Sequence, residues 1–385
     1  MDVTAIICEY HLLHKGHLRQ IAWIRNRYPD TVVLALMSGS FVQRGEAAMY
    51  SADARAAVAV ESGVDLVLEL PFPWSMSAGP FFAAGGVRLL AALGVTRFCF
   101  GSESGDLTAL RTVADNLCAP CYRERMAAAL ASERHRTVSA IQLGEQVYQE
   151  LFGVGYPRTP NDILGVSYLV ACRETAGAPQ PVTLKREGSE SATAARLALV
   201  QGDTATLEGL LPPASLALTC RPFTKNTDIG AAMLAWYRLS DPQRIGASAE
   251  VTPGDSHRLA EVAQTATDYE ALVAGMRQKR RTDARIRRML WYGMLGVTEA
   301  DLKASPAYTV LLGAGQRGRE ALRYLKKHSD LPILTKRADY KQCGEAVATQ
   351  FSLALRAQGL YDLIAPAEAR GYLCHPPYLK NAHST

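Results

Sequence analysis

The amino-acid sequence predicts an α/β protein: a Rossmann-like parallel sheet over residues 1–203, followed by a mainly helical part over residues 204–385. Three observations carry this. Short unbroken apolar runs alternate with helix-patterned stretches through the first two hundred residues, as in a parallel sheet covered on both faces. Residues that carry chemistry follow the ends of those runs, where ligands bind in open α/β sheets. From about residue 204 the alternation fades and helical patterns dominate, with Pro212-Pro213 as a break.

Each element has its own signal. "VTAIIC" (3–8) reads as a buried strand and "KGHLRQIAWIRNRY" (15–28) as an amphipathic helix. "TVVLALM" (31–37) is a second strand; "SADARAAVAVES" (51–62) is a helix with Ser51 as N-cap and Gly63 as its stop. "VDLVLELP" (64–71) is a third strand, 78–93 a helix and "TRFCFGSE" (96–103) a fourth strand. Residues 107–150 read as mainly helical, 161–174 as a helix, "PVTLKRE" (181–187) as a further strand, and Ser191 begins another helix. In a parallel sheet His14, Gly39, Pro71 and Gly101 all follow strands and share one edge.

Composition narrows the class. Of 385 residues, 48% are hydrophobic and 21% charged, which argues against disorder and collagen-like repeats. No apolar run approaches the ~20 residues of a membrane span, and the N-terminus lacks a basic segment of the signal-peptide kind. The expectation is therefore a cytoplasmic protein without a membrane partner. Net charge is +5, so an anionic partner depends on where the cations sit. Cys118 and Cys121 form a lone "CAPC" without the second pair of a zinc site, and no metal is expected.

The segment "HLLHKGH" (11–17) places His14 and His17 three residues apart, where a strand hands over to a helix. In a first helical turn the two imidazoles share a face. Free backbone N–H groups and the positive end of the helix dipole suit that place to phosphate. Imidazole donors can stabilise charge that builds on a phosphate during displacement. Gly16 would let a ligand approach the backbone, and Lys15 adds a cation. A zinc site would need a third ligand, for which only His11 is near. Further on, "SATAAR" (191–196) sets Ser191, Thr193 and Arg196 on the start of a helix. It reads either as an ordinary N-cap with a surface arginine or as a second phosphate clamp.

Two other patterns carry a choice of readings. "GAGQRG" (313–318) matches a dinucleotide fingerprint, but the next strand "PILTKR" ends in basic residues where an acidic one is required, so a glycine turn is the better account. "RQKRRTDARIRR" (277–288) holds seven basic residues and one acidic. Ile286, Leu290 and Met294 suggest an apolar stripe, with Arg281, Arg285 and Arg288 on another side. They read as a solvated face or as a row that follows a phosphate backbone.

Taken together the two phosphate signatures resemble the HIGH nucleotidyltransferase superfamily. "EY…HKGH", "MSGSFVQRGEAA", "GVDLVLELP", "ALGVTRFCFGSE", "PNDILGVSYL", "LKR", "SATAAR", "RIRRMLWYGMLGV" and "LLGAGQRGREALRYLKKHSDLPILTK" occur in the order found in the tRNA(Met) cytidine acetate ligases. The resemblance implies activation of acetate by ATP to acetyl-adenylate and transfer of the acetyl group to the wobble cytidine of elongator methionine tRNA. It implies ATP contacts from the 7–20 loop (Ile7, Cys8, Glu9, Tyr10, Gly16, His17 and Gln20), Gly101, Asn161 and Arg186, with Ser191, Thr193 and Arg196 on the outer phosphates, aided by Mg²⁺. His14 and His17 become catalytic, residues 1–203 the ATP-binding domain and residues 204–385 the tRNA-binding domain through Arg281, Arg285 and Arg288. A homodimer is left open. The chain departs from the family at His11, Leu12 and Leu13, where Asn-Pro-Phe is usual, and at residues 187–190, where a longer His-Asp loop is usual. A nucleotidyltransferase for a small phosphorylated metabolite and a non-catalytic binding homologue are the alternatives.

Overall fold

Strand β1 (Val3–Cys8) is apolar and buried along its whole length, which places it at the centre of a sheet rather than at an edge. It pairs in parallel with β2 (Val32–Ser38), from Val3 opposite Val32 to Cys8 opposite Met37. Helix α1 (Lys15–Arg27) makes the crossover between them. After β2 comes a small hairpin, β3 (Phe41–Val42) and β4 (Glu46–Ala47), then α2 (Ala52–Glu61) and β5 (Leu66–Leu70). Helix α3 (Gly79–Ala92) leads to β6 (Arg97–Ser102). Helices α4 (Leu107–Cys118), α5 (Pro120–Ala131), α6 (Ala140–Phe152) and α7 (Pro160–Glu174) follow, then β7 (Gln180–Lys185) and α8 (Ala192–Gln201). The computed structural model describes residues 1–132, 140–153, 155–188, 191–278 and 281–380.

Five of these strands lie in the order β5-β2-β1-β6-β7, all parallel. The order reverses between β1 and β6, so a crevice opens beyond their carboxyl ends. Helices cover both faces. Ile6 and Cys8 point to the core shared with α1 and α2, whereas Ala5 and Ile7 point to the core shared with α3 and α7. Alternation of side chains along the strand divides them this way.

The second half begins with α9 (Thr204–Leu210) and α10 (Pro213–Thr219). Helices α11 (Gly230–Leu239), α12 (Pro242–Gly246), α13 (Pro253–Thr265), α14 (Tyr269–Gly275), α15 (Asp283–Leu295) and α16 (Glu299–Lys303) then pack around Trp291, Tyr237 and Met289, together with Phe41 and Ala47 of the hairpin. The chain then returns through β8 (Thr309–Ala314), α17 (Gln316–His328), β9 (Ile333–Leu334), α18 (Glu345–Ile364) and β10 (Tyr378–Leu379).

The expected division after residue 203 is therefore not a division of the sheet. Strand β8 pairs antiparallel with β5, and β9 and β10 pair with β8 in turn. The physical reason is that β5 is buried on both faces and would otherwise present an open edge of unpaired backbone groups. The glycine fingerprint ends β8 in this same sheet. A side chain at Gly318 would collide with the Asp65 carbonyl, and Gly315 N–H donates to that carbonyl (2.8 Å). Close packing accounts for these glycines. No helix among the described residues is long and apolar enough to cross a membrane.

Candidate active site

The crevice between β1 and β6 is a cavity lined by Ile6 to His11, His17, Gln20, Gln43, Arg44, Phe82, Phe100, Gly101, Asn161, Leu164, Tyr168 and Arg186. A second, adjoining hollow shares His17, Gln20, Gly101 and Arg186, and adds Gly16, Trp23 and Lys185. Most of the nucleotide contacts expected from the sequence thus meet at one place.

The histidine pair is held by backbone. His14 is the N-cap of α1, and its Nδ1 accepts from Gly16 N–H (3.1 Å). His17 Nδ1 accepts from His14 N–H (3.1 Å), closing a reciprocal cap. The rings stack with centroids 3.8 Å apart. Because both Nδ1 atoms act as acceptors, the ring protons reside on Nε2, so each neutral imidazole presents an Nε2–H donor. Burial, and after it the neighbouring His14 and Arg186 side chains, which oppose a positive charge on the ring, hold His17 well below the usual histidine range and keep it neutral. Gly16 serves a further purpose: a β-carbon there would lie 2.8 Å from His14 Cε1. The missing side chain makes room for the His14 ring, and Gly16 also lines the adjoining hollow.

His11 turns away from any joint metal site. It is buried, its Nε2 accepts from Met49 N–H (3.0 Å), and burial beside Arg196, Arg55 and Arg44 keeps it neutral. Among the described residues no group of three histidine, cysteine or acidic side chains could hold a metal ion. Tyr10 (φ 40°) and Leu12 (φ 72°) adopt left-handed backbone, which few non-glycine residues take outside functional sites. A proline cannot adopt the Leu12 conformation, so Asn-Pro-Phe at positions 11–13 would not fit this backbone unchanged.

Glu9 lies at the end of β1. Its Oε1 accepts from Gln43 N–H (2.7 Å), and burial raises its carboxyl above the usual range against the opposing pull of that bond, Arg196, Arg44 and Arg55. Gln20 Nε2 donates to the Cys99 carbonyl (3.1 Å), tying α1 to β6. A side chain on Gly101 would press on the stem of Arg186 (3.2 Å to Cγ). Asn161 sits in the first turn of α7, where its Nδ2 and the Asp162 N–H both donate to Glu103 (2.6 and 3.0 Å).

The second signature keeps both of its sequence readings. Ser191 Oγ accepts from Ala194 N–H (3.0 Å) as an N-cap, and Arg196 bonds Thr193 Oγ1 (3.3 Å) and the His11 carbonyl (3.5 Å). The latter bond brings α8 against the 9–14 loop.

The basic strip is where the structure corrects the sequence. Arg281 pairs with fully buried Asp255, Arg285 approaches the same carboxylate (3.8 Å), and Arg288 makes a two-pronged pair with Glu250 (2.9 Å each). They do not form a solvent-facing row. Arg287 pairs with Glu46 and donates to the Arg44 carbonyl, and Arg288 donates to the Gln43 carbonyl, so α15 grips the hairpin that lines the cavity. Lys279 and Arg280 of the strip, and residues 189 and 190 of the shortened loop, lie outside the described residues.

Several site residues escaped the sequence reading. Arg55 is 1% exposed and donates to the carbonyls of Glu9, Gly39 and Tyr50, fastening the ends of β1 and β2. Its signal was an arginine inside an otherwise alanine- and valine-rich helix. Gln43, Arg44 and Phe100 gave none beyond their nearness to strand ends, and Phe82 and Tyr168, inside helices α3 and α7, gave none at all.

This geometry has counterparts among known proteins. The HIGH Nucleotidyl Transferase family model matches residues 1–372. The tRNA(Met) cytidine acetate ligase of Syntrophotalea carbinolica is 36% identical over 87% of this chain and 85% of its own length. That of Latilactobacillus sakei is 33% identical over 87% and 88%. The crystal structure of Thermotoga maritima TmcAL bound with alpha-thio ATP superposes with a TM-score of 0.91 at 27% identity, over 99% of this chain and all of that one.

Proposed function

We propose that this chain, which belongs to the tRNA(Met) cytidine acetate ligase family of HIGH nucleotidyl transferases, activates acetate with ATP and acetylates the wobble cytidine of elongator methionine tRNA. The observation that carries the reading is the histidine pair. Two neutral imidazoles stack at the start of α1, each with Nδ1 satisfied by backbone, and His17 lines the cavity at the sheet's switch point. Ile7 to Tyr10, Gln20, Gly101, Asn161 and Arg186 line the place for the nucleotide.

An acetate oxygen attacks the α-phosphorus, and pyrophosphate leaves. His14 and His17 donate to the oxygens on which charge grows, aided by the positive end of α1. Ser191, Thr193 and Arg196 hold the outer phosphates. A divalent ion would arrive on those phosphates, where the Ser191 and Thr193 hydroxyls are the groups suited to meet it, and it would supply charge neutralisation. No protein nucleophile is required, because the carboxylate is itself anionic.

The tRNA must bring its cytidine to the cavity mouth, which puts neighbouring phosphates near Arg44 and Lys185. Both are exposed cations without an ion pair among the described residues. Arg281, Arg285 and Arg288 then serve RNA indirectly, through the hairpin that α15 holds. A tRNA-modifying enzyme of this kind works in the cytoplasm.

The test is direct. ATP, Mg²⁺ and acetate should give acetate-dependent pyrophosphate exchange and no ADP. Added methionine tRNA should take up labelled acetate as N4-acetylcytidine, and acetyl-CoA should not substitute. Exchange driven by a phosphorylated metabolite instead of a carboxylate would refute the reading.

A further inference from the structure

The two half-reactions differ in their protons. Acetate activation releases none. In acetyl transfer the exocyclic amine of cytidine attacks the acetyl carbon. The N–C bond forms, and the C–O bond to the adenylate breaks with its electron pair leaving on AMP. One proton must also come off the amine nitrogen. A base poised to accept it is worth about 10²–10⁴-fold in rate.

The titratable groups around the cavity can be taken in turn. His17 and His14 have their Nδ1 lone pairs engaged by backbone N–H groups, and their Nε2 atoms carry the protons. The His11 Nε2 lone pair is engaged by Met49 N–H. Burial keeps the Tyr10 and Tyr168 phenols and the Cys8 thiol protonated. Arg44, Arg186 and Arg196 are cations. Glu9 remains, and it is the one carboxylate among the residues lining the cavity. Its Oε1 is pinned by Gln43 N–H, and its backbone carbonyl by Arg55. Oε2 accepts no hydrogen bond from the described residues, and it is not sealed from the cavity.

We propose that Glu9 is a catalytic base for acetyl transfer: Oε2 takes the N4 proton as the acetyl group moves from the adenylate to cytidine. This rests on the acetyl-transfer reading above and assigns Glu9 a role beyond lining the nucleotide site. The raised affinity of this buried carboxylate for a proton makes it a stronger base than a solvated glutamate. The fixed Oε1 aims the other oxygen.

The experiment measures both halves in Glu9→Gln and Glu9→Asp: acetate-dependent pyrophosphate exchange, and single-turnover transfer to methionine tRNA from preformed acetyl-adenylate. The ratio of transfer to exchange should fall about 10²–10³-fold in Glu9→Gln. It should fall less in Glu9→Asp, which keeps a carboxylate. Transfer from supplied acetyl-adenylate at the wild-type rate in Glu9→Gln would overturn the proposal and leave the departing phosphate as the proton acceptor. Equal loss of both halves would overturn it in favour of a structural role. Wild-type protein that shows neither half would refute the acetyl-transfer reading itself, independently of Glu9.

Discussion

The loop over residues 9–17 and the strip over residues 277–288 look alike in sequence, since each gathers nitrogen-bearing side chains near the start of a helix. In the structure they do opposite things. The loop satisfies the Nδ1 atoms of His14 and His17 with backbone groups two and three residues away, and His17 lines the cavity. The strip satisfies Arg281, Arg285 and Arg288 with carboxylates from other segments, at Asp255 and Glu250. A polar cluster can serve a ligand where local backbone completes it and its side chains line a cavity. Where distant opposite charges complete it, the cluster holds the fold together.

The largest expected effect tests the strip. Arg281→Ala leaves fully buried Asp255 without its guanidinium, and loss of one partner of a buried pair costs about 3–5 kcal/mol. Thr252 still donates to that carboxylate, so the lower end of the range is expected in chemical denaturation. Unchanged stability with weakened tRNA binding would reverse the roles of the two regions.

The loop should respond the other way. His14→Ala or His17→Ala is expected to lower turnover by about 10²–10³-fold with ATP affinity within a few fold, the mark of a contact made in the transition state. The lost cap should cost only about 1 kcal/mol of stability. A fall in ATP affinity equal to the fall in turnover would make the pair a simple binding contact.

Behind the loop lies a carboxylate completed by neither route. Glu69 accepts from Tyr372 (2.6 Å) through Oε1, while Oε2 is buried without a partner, and its carboxyl is pushed up to about 7. The folded state therefore holds a proton that the unfolded chain, near 4.5, has released. Stability should fall as pH rises between these values, by up to about 1.4 kcal/mol per unit, and stay lowered above 7. Glu69→Gln should flatten that slope in thermal or urea unfolding. A slope that persists in the variant would place the proton elsewhere.

The smallest effect concerns the cavity mouth. Lys185→Ala and Arg44→Ala should each weaken tRNA binding modestly and reduce the salt dependence by about one unit of slope per lost phosphate contact. If instead only Arg281→Ala changes that slope, the row read from the sequence is the RNA contact after all.

Local pattern made much of this protein legible. Strand runs such as 3–8 and 96–103 show their burial in composition. The starts of α1 and α8 show themselves because a cap is completed within three residues. The same locality made His14, His17 and Ser191 readable as a candidate site. Other features depend on partners far along the chain and have no local signature. Strand β8 closes the edge of β5 from more than two hundred residues away, so a split at residue 203 looked natural and the glycines after β8 looked like a nucleotide fingerprint. Asp255 and Glu250 decide that the arginine strip is internal, although periodicity alone left it facing water. Arg55 reads as one charge in a helix until three separate carbonyls converge on it. Where strands end and which donors stand there can be read from the chain, because those depend on neighbours a few residues apart. Which charges are already neutralised and which side chains line the cavity is settled by folding, because burial and pairing are properties of what the chain brings together in space.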